Sequence, residues 1–380
     1  MPYTEHQPDK GGYKGSAKAT IPLPFANPRM EEPTEQPADA SNVAKPDSQA
    51  GKQGEKGRVR SFHFTLHTIF ATADIFPDNS ANITTSTSDP YTAARKALDR
   101  DGFVVLSALL FPSFDLESLR AAASRSVSAA RSGKWPYIRT LPKQFPPWPQ
   151  NASNGIWGVQ HLLHPSNPDH LTFAKSYFDE ELLRYVAALI DCDPDDLTME
   201  LYNMLVRPDH DFALRWHRDD IPATATADEE LERLRKPGWH AQWNLALYDD
   251  SSLVLIPGSH KRARTDKERD ADPYEPSLPD QITVNLKAGE VAFYNNNILH
   301  RGVYSCEKER MTLHGSIGTK AAGTQRARNV LQHGVGEWAK EWDLSQCRGE
   351  EWVERAKGMR ERLVELGRES GDVGFFSKDE

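Results

Sequence analysis

Between Thr198 and Ile317 the chain is a succession of short β-prone runs separated by turn signals, and this pattern leaves few folds open. The run TMELYNMLV alternates, with Met199, Leu201, Asn203 and Leu205 on one face. WNLALY, SLVLI, ITVNL, EVAFY and MTLHGSI follow, divided by Asp, Pro-Gly, Ala-Gly and Asn punctuation. Many short strands of this kind predict a sandwich or barrel, a jelly roll being one option. Helical patterns flank them. YTAARKALDRD reads as a helix, followed by a turn at Asp101-Gly102 and an apolar strand over 103–106. After Asp115, Leu116, Leu119, Ala123, Val127 and Ala130 recur at spacings of three and four, predicting one apolar helical stripe. Residues 179–189 repeat the pattern. EWVERAKGMRERLVELG places Val353, Met359, Leu363 and Leu366 roughly on one side, predicting a packed C-terminal helix. The fold class is mainly β with flanking helices.

The 380 residues suffice for one large domain with a full core. Eight of the 26 prolines fall in the first 50 positions. That composition, without periodicity, predicts a disordered tail over 1–58. From Ser61 to Ala94 no Lys, Arg or Glu occurs, so 59–90 is expected to be an insertion or linker. The domain then runs over 91–334, with a helical extension over 335–380.

A net charge of −9 (46 Lys+Arg against 55 Asp+Glu) argues against a nucleic-acid partner, which would need a cationic face. The run KRARTDKERD alternates in sign and predicts a solvated loop. The three cysteines, Cys192, Cys306 and Cys347, form no CxxC pair and exclude a disulfide scaffold or zinc ribbon. Few cysteines, no apolar run of about 18 residues and no apolar leader at the N-terminus lead us to expect a cytoplasmic protein without a membrane span.

The chemistry centres on Arg215-Trp216-His217-Arg218-Asp219-Asp220. On an extended backbone His217 and Asp219 share a face, so imidazole and carboxylate can chelate one divalent cation. His300 lies beyond the EVAFY strand. Two His and one carboxylate on one face of a metal, with open positions opposite, is the arrangement of non-haem Fe(II) oxygenases. Arg310 opens the next strand. Its guanidinium can hold the far carboxylate of a dicarboxylate co-substrate bidentately. Thr312, two residues on, faces the same way and can add a hydroxyl. Asp220 reads as a supporting or surface group and His260 as structural. His240, His314, Tyr202, Asn203 and Gln242 are candidate pocket-lining groups.

The order H-x-D, PGSHK (257–261), AGE…H and R-x-T resembles the phytanoyl-CoA dioxygenase-like branch of the Fe(II)/2-oxoglutarate oxygenases, and DGFVVLSALL resembles that family's N-terminal strand. The resemblance implies a double-stranded β-helix (jelly-roll, cupin-like) core. It implies Fe(II) held by His217, Asp219 and His300, 2-oxoglutarate held by Arg310, and O2 as oxidant. Met204 and Trp243 match family co-substrate contacts. The implied reaction is hydroxylation of a small organic molecule with release of succinate and CO2, and Asp219 argues against halogenation. DDSS, expected to be a short turn, lacks the family's glycine, and the charged 221–239 segment is long, so the substrate does not carry over. Two rivals remain. A cupin-like metalloenzyme that does not use 2-oxoglutarate, such as an isomerase, has no evident use for Arg310. A non-catalytic β-helix binding protein has no need of all three ligands.

Overall fold

The computed structural model describes residues 89–237, 240–345, 347 and 350–373. The expected tail, and all but the last two residues of the expected linker, lie outside the described residues.

The N-terminal part comprises α1 (Pro90–Asp101), β1 (Phe103–Leu106), α2 (Leu116–Arg131), β2 (Ile138–Thr140), β3 (Ile156–Val159), α3 (His170–Tyr177) and α4 (Glu180–Ile190). The central part comprises β4 (Leu197–Val206), β5 (Phe212–Ala213), α5 (Ala227–Leu234), β6 (His240–Ala246), β7 (Asp250–Leu255), α6 (Asp266–Asp270), β8 (Ile282–Leu286), β9 (Val291–Tyr294), β10 (His300–Tyr304) and β11 (Met311–Thr319). Three helices end the chain: α7 (Gly323–Leu331), α8 (Val335–Ala339) and α9 (Glu351–Ser370).

Local chemistry sets the helix ends. Asp89 accepts from Thr92 N and Pro90 starts α1, while Gly102 at φ +83° ends it. A side chain at Gly102 would run into the His260 ring. Asp115 caps α2 through Ser118 N, and Asp179 caps α4 through Leu182 N. Each such cap contributes roughly 1 kcal/mol.

The strands form two antiparallel sheets, ordered β1-β9-β6-β11-β4-β3-β2 and β5-β10-β7-β8. Their inner faces meet where Phe103, Ala246 and Tyr294 pack on Leu253, Leu255, Val284 and Leu286. This is a jelly roll with flanking helices, as expected from the alternating runs. The outer face of the larger sheet carries Tyr202, Met204, Trp243, Phe293 and Leu313. Side chains of α2, α3, α4 and α9, among them Leu119, Phe173, Leu182 and Leu363, cover it to form the main core. Burying each large apolar side chain there contributes about 1.5–3 kcal/mol.

Two features go beyond the sequence reading. DDSS is not a turn; Asp250 already begins β7. His300 is the first residue of β10, too short a strand to show by its own periodicity. The C-terminal helix packs as expected: α9 buries Val353, Met359, Leu363 and Leu366 together with Trp352, and Trp338 of α8 donates from Nε1 to His161 Nδ1 at 3.1 Å.

That last bond requires His161 to be neutral. Burial is the main cause of its pKa falling to about 3 from an ordinary 6.5. Between those values the unfolded chain binds a proton that the folded chain refuses. Stability is therefore full above 6.5 and is lost as pH falls, by about 1.4 kcal/mol per pH unit inside the window. Urea midpoints should drop between about pH 7.5 and about pH 5.5, and His161→Gln should make that drop shallower by one histidine's share, His240, His314 and His333 retaining theirs.

Candidate active site

His217 and His300 face each other across an isolated antiparallel bridge. Backbone bonds run from His217 N to His300 O (3.0 Å) and from His300 N to His217 O (3.1 Å). Each ring is then oriented by its own neighbour two residues earlier. His217 Nδ1 lies 2.8 Å from Arg215 O, and His300 Nδ1 lies 2.8 Å from Ile298 O. With Nδ1–H donating to a carbonyl, Nε2 carries the lone pair, the tautomer a metal needs.

Both Nε2 atoms approach one carboxylate oxygen, Asp219 Oδ1, at 3.6 and 3.8 Å. One ligand atom from each of the three residues lies within 4.8 Å of the others. Asp219 N donates to Asn296 O at 2.8 Å, and Gln242 Nε2 donates to Asp219 Oδ2 at 2.9 Å, leaving Oδ1 turned toward the imidazoles. Two neutral imidazoles and a carboxylate on one side of a shared point fit a divalent non-haem iron.

Between the two ligands in sequence, Arg218 points the other way and is 1% exposed. Its guanidinium donates to Ser259 O and Arg262 O (both 3.0 Å) and to Asn297 O, and its Nε lies 3.8 Å from Glu230. Glu230, 0% exposed, also pairs with Arg264 and Arg269. Burial lowers the Arg218 pKa to about 10, so the group stays charged at neutral pH. The PGSHK loop therefore serves as a carbonyl socket for Arg218. Its His260 packs over Gly102, with Nε2 3.1 Å from Asp99 O. Asp220 is tied to Asn296, to Asn329 Nδ2 at 3.1 Å and to Arg233 at 3.8 Å.

A cavity of about 200 Å³ opens over Asp219 and the two rings, and Arg310 lines it. Arg310 Nε donates to Asp250 Oδ2 at 3.2 Å, Thr312 Oγ1 donates to the same oxygen at 2.8 Å, and the guanidinium stacks 4.3 Å from the Tyr304 ring centre. Burial acts to raise the Asp250 pKa, but Arg310, Ser252 and Thr312 outweigh it and hold the carboxylate ionised. Arg310 Nη1 is buried with no acceptor. An unsatisfied guanidinium N–H facing the same hollow as the three ligands fits the far carboxylate of 2-oxoglutarate. Thr312 faces inward but spends its hydroxyl proton on Asp250, so it orients Arg310 through that carboxylate.

Met204 and Trp243 do not reach this hollow. Along β6 Gln242 and Asn244 point inward, so strand alternation turns Trp243 outward, against Tyr177 and Phe293. Leu201 and Leu205 of β4 likewise line the cavity, which turns Met204 into the helix-covered core. Their expected co-substrate role is corrected to core packing. Any side chain at Gly315 would strike the Trp243 ring.

Among the pocket candidates, Gln242 and His314 line the cavity. His314 Nδ1 lies 2.9 Å from Asn244 Oδ1, and burial, then Arg139, push its pKa to about 3. Tyr202 is in the core, Asn203 accepts from His161 N, and His240 lies off the cavity. Sequence reasoning missed Arg139, Gln144, Trp148, Trp157, Arg326, Asn329 and His333 in the cavity lining. The only visible signal was the aromatic and proline-rich stretch KQFPPWPQ.

A model of the phytanoyl-CoA dioxygenase (PhyH) family matches residues 98–303, more than half of the chain. The chain belongs to the phytanoyl-CoA dioxygenase family. It is a non-haem Fe(II)/2-oxoglutarate-dependent oxygenase, and the rivals lose their footing. The match stops before Arg310 and the last three helices. Among solved structures, AviO1 from Streptomyces viridochromogenes Tue57 is 20% identical, covering 62% of this chain and 96% of its own (TM-score 0.44). HygX from Streptomyces hygroscopicus with nickel and 2-oxoglutarate bound is 19% identical, covering 60% and 86% (TM-score 0.41). EctD from S. alaskensis with bound Fe is 19% identical, covering 65% and 83% (TM-score 0.43). No curated protein sequence matches. In this oxygenase no helix among the described residues is long and apolar enough to cross a membrane.

Removing the buried acid behind the ligands tests the Arg218 socket. Glu230→Ala leaves Arg218 and Arg264 as uncompensated buried cations and should cost about 3–5 kcal/mol in urea denaturation. Glu232→Ala, on the exposed side of α5, should change stability by less than about 0.5 kcal/mol.

Proposed function

We propose that this oxygenase holds Fe(II) with His217, Asp219 and His300, holds 2-oxoglutarate with Arg310, and hydroxylates a small organic molecule. The observation that carries the reading is the approach of both imidazole Nε2 atoms to Asp219 Oδ1, at 3.6 and 3.8 Å. When bound, the iron supplies O2 activation coupled to oxidative decarboxylation of 2-oxoglutarate, which yields succinate and CO2.

The residues contribute positioning. Arg215 and Ile298 carbonyls fix the Nδ1–H tautomers, so both rings meet the metal as neutral donors. Gln242 holds Asp219 Oδ2, which favours coordination through Oδ1 alone. Arg310 presents Nη1 to the far carboxylate while Asp250 and Thr312 restrain its other edge. That two-sided restraint sets how deep the oxoacid sits, and depth decides where its keto end meets the metal. Phe145, whose ring centre lies 5.4 Å from that of His217, shields the metal ligands from bulk water.

The test is spectroscopic and chemical. Anaerobic protein given Fe(II) and 2-oxoglutarate should develop a weak visible charge-transfer band, and screening of small molecules should reveal one that stimulates succinate formation. His217→Ala should abolish the band and the turnover. Arg310→Lys keeps a cation beside Asp250 but loses the planar fork, and should weaken 2-oxoglutarate binding by about tenfold or more. Folded wild-type protein that binds iron yet shows no band would sink the reading.

A further inference from the structure

The cavity has a second donor-rich region besides Arg310. Arg139 Nε, Gln144 Nε2, Trp148 Nε1 and Trp157 Nε1 are all buried nitrogen donors without an acceptor, and His333 Nδ1 is buried and unpaired beside them. All five residues line the same hollow. Burying such a donor without an acceptor is unfavourable, so five of them around one hollow point to a ligand that supplies the acceptors.

The cluster is tightly built. The Arg139 guanidinium lies 5.0 Å from the Trp148 ring centre and 5.4 Å from that of Trp157. His333 stacks on Trp148 at 5.7 Å and 26°. Arg139 pairs in register with Gly158, and a Cβ there would come within 2.8 Å of Arg139 Cδ. Glycine at 158 thus gives the Arg139 chain its path toward the hollow. Gln144 Oε1 accepts from Arg215 N at 3.0 Å, which fixes the cluster beside the metal-ligand segment.

Charge sharpens the chemistry. Arg310 is paired with Asp250, and Arg326 with Glu200. Among the described residues, Arg139 is the cavity arginine with no acid within ion-pair distance, and the charge of Asp219 reaches it only at longer range. Burial lowers its pKa to about 10, which leaves it charged. One guanidinium with a planar fork balances the single charge of one carboxylate and can bond it bidentately.

We infer that the substrate is a carboxylic acid whose carboxylate seats on Arg139, with the neighbouring amide and indole N–H groups completing its shell and Trp148 and Trp157 flanking its apolar body. The inference rests on the functional reading above, with Arg310 rather than Arg139 serving the oxoacid.

The experiment uses full-length protein loaded with nickel, which binds the ligand set without turnover. Calorimetry measures phenylacetate against its uncharged analogue phenylacetamide, with and without saturating 2-oxoglutarate. Wild type should bind phenylacetate about tenfold or more tightly than the amide. Arg139→Met should erase the preference and leave 2-oxoglutarate affinity within about twofold, and Arg139→Lys should keep part of the preference. Equal binding of the two probes by wild type overturns the inference without recourse to any variant. So does a loss of 2-oxoglutarate affinity in folded Arg139→Met, which would make Arg139 an oxoacid residue. Failure of wild type to bind 2-oxoglutarate at all is read in a separate titration and counts against the iron and oxoacid assignment, not against the probe preference.

Discussion

Two backbone hydrogen bonds between His217 and His300 are the constraint on which the site depends. They join segments far apart in the chain at a point where neither belongs to a long strand pair. Once the bridge forms, alternation does the rest. His217 and Asp219 face inward, while Arg218 between them faces outward into the carbonyls of Ser259, Asn297 and Arg262. A charged side chain is buried on the back of the segment so that the front stays fixed. Buried charge is costly, and Glu230 with its arginine partners offsets that cost.

Two arginines divide the chemistry of the hollow. Arg310 is already half satisfied by Asp250, so it has one free edge and one geometry to offer. Arg139 sits against indole faces with no acid in ion-pair contact, and the charge of Asp219 reaches it only at longer range. The rings of His314 and His333 line the same space, each held uncharged chiefly by burial. A cavity with two guanidinium groups and uncharged imidazole walls discriminates by where a ligand carries its negative groups, not only by how large it is.

How much of this could be read from the residues follows physical lines. The sheet strands were legible because alternation and turn residues are local properties, and the metal-ligand proposal followed from an i, i+2 pair whose direction an extended backbone fixes. Arg310 and Thr312 were placed on a common face by the same rule. Met204 and Trp243 failed because they came from family likeness alone. Which face of β4 and β6 points inward is set by pairing with distant strands, and WNLALY is apolar enough to suit either side. The cavity wall was invisible for another reason. β2 and β3 are three and four residues long, too short for a period to show, and α7 is a nine-residue, mostly polar helix whose inward face is set only by packing. Their identity as wall elements exists only in the assembled fold.

α7 and the turn after it bring Arg326, Asn329 and His333 to the hollow, yet they follow every candidate metal ligand and Arg310 in the chain. A polypeptide emerging from the ribosome has therefore presented His217, Asp219, His300 and Arg310 before it possesses α7. The order of synthesis thus supplies late the element that bonds Asp220 through Asn329, so this wall of the hollow can be finished only after the strands that carry its other walls exist.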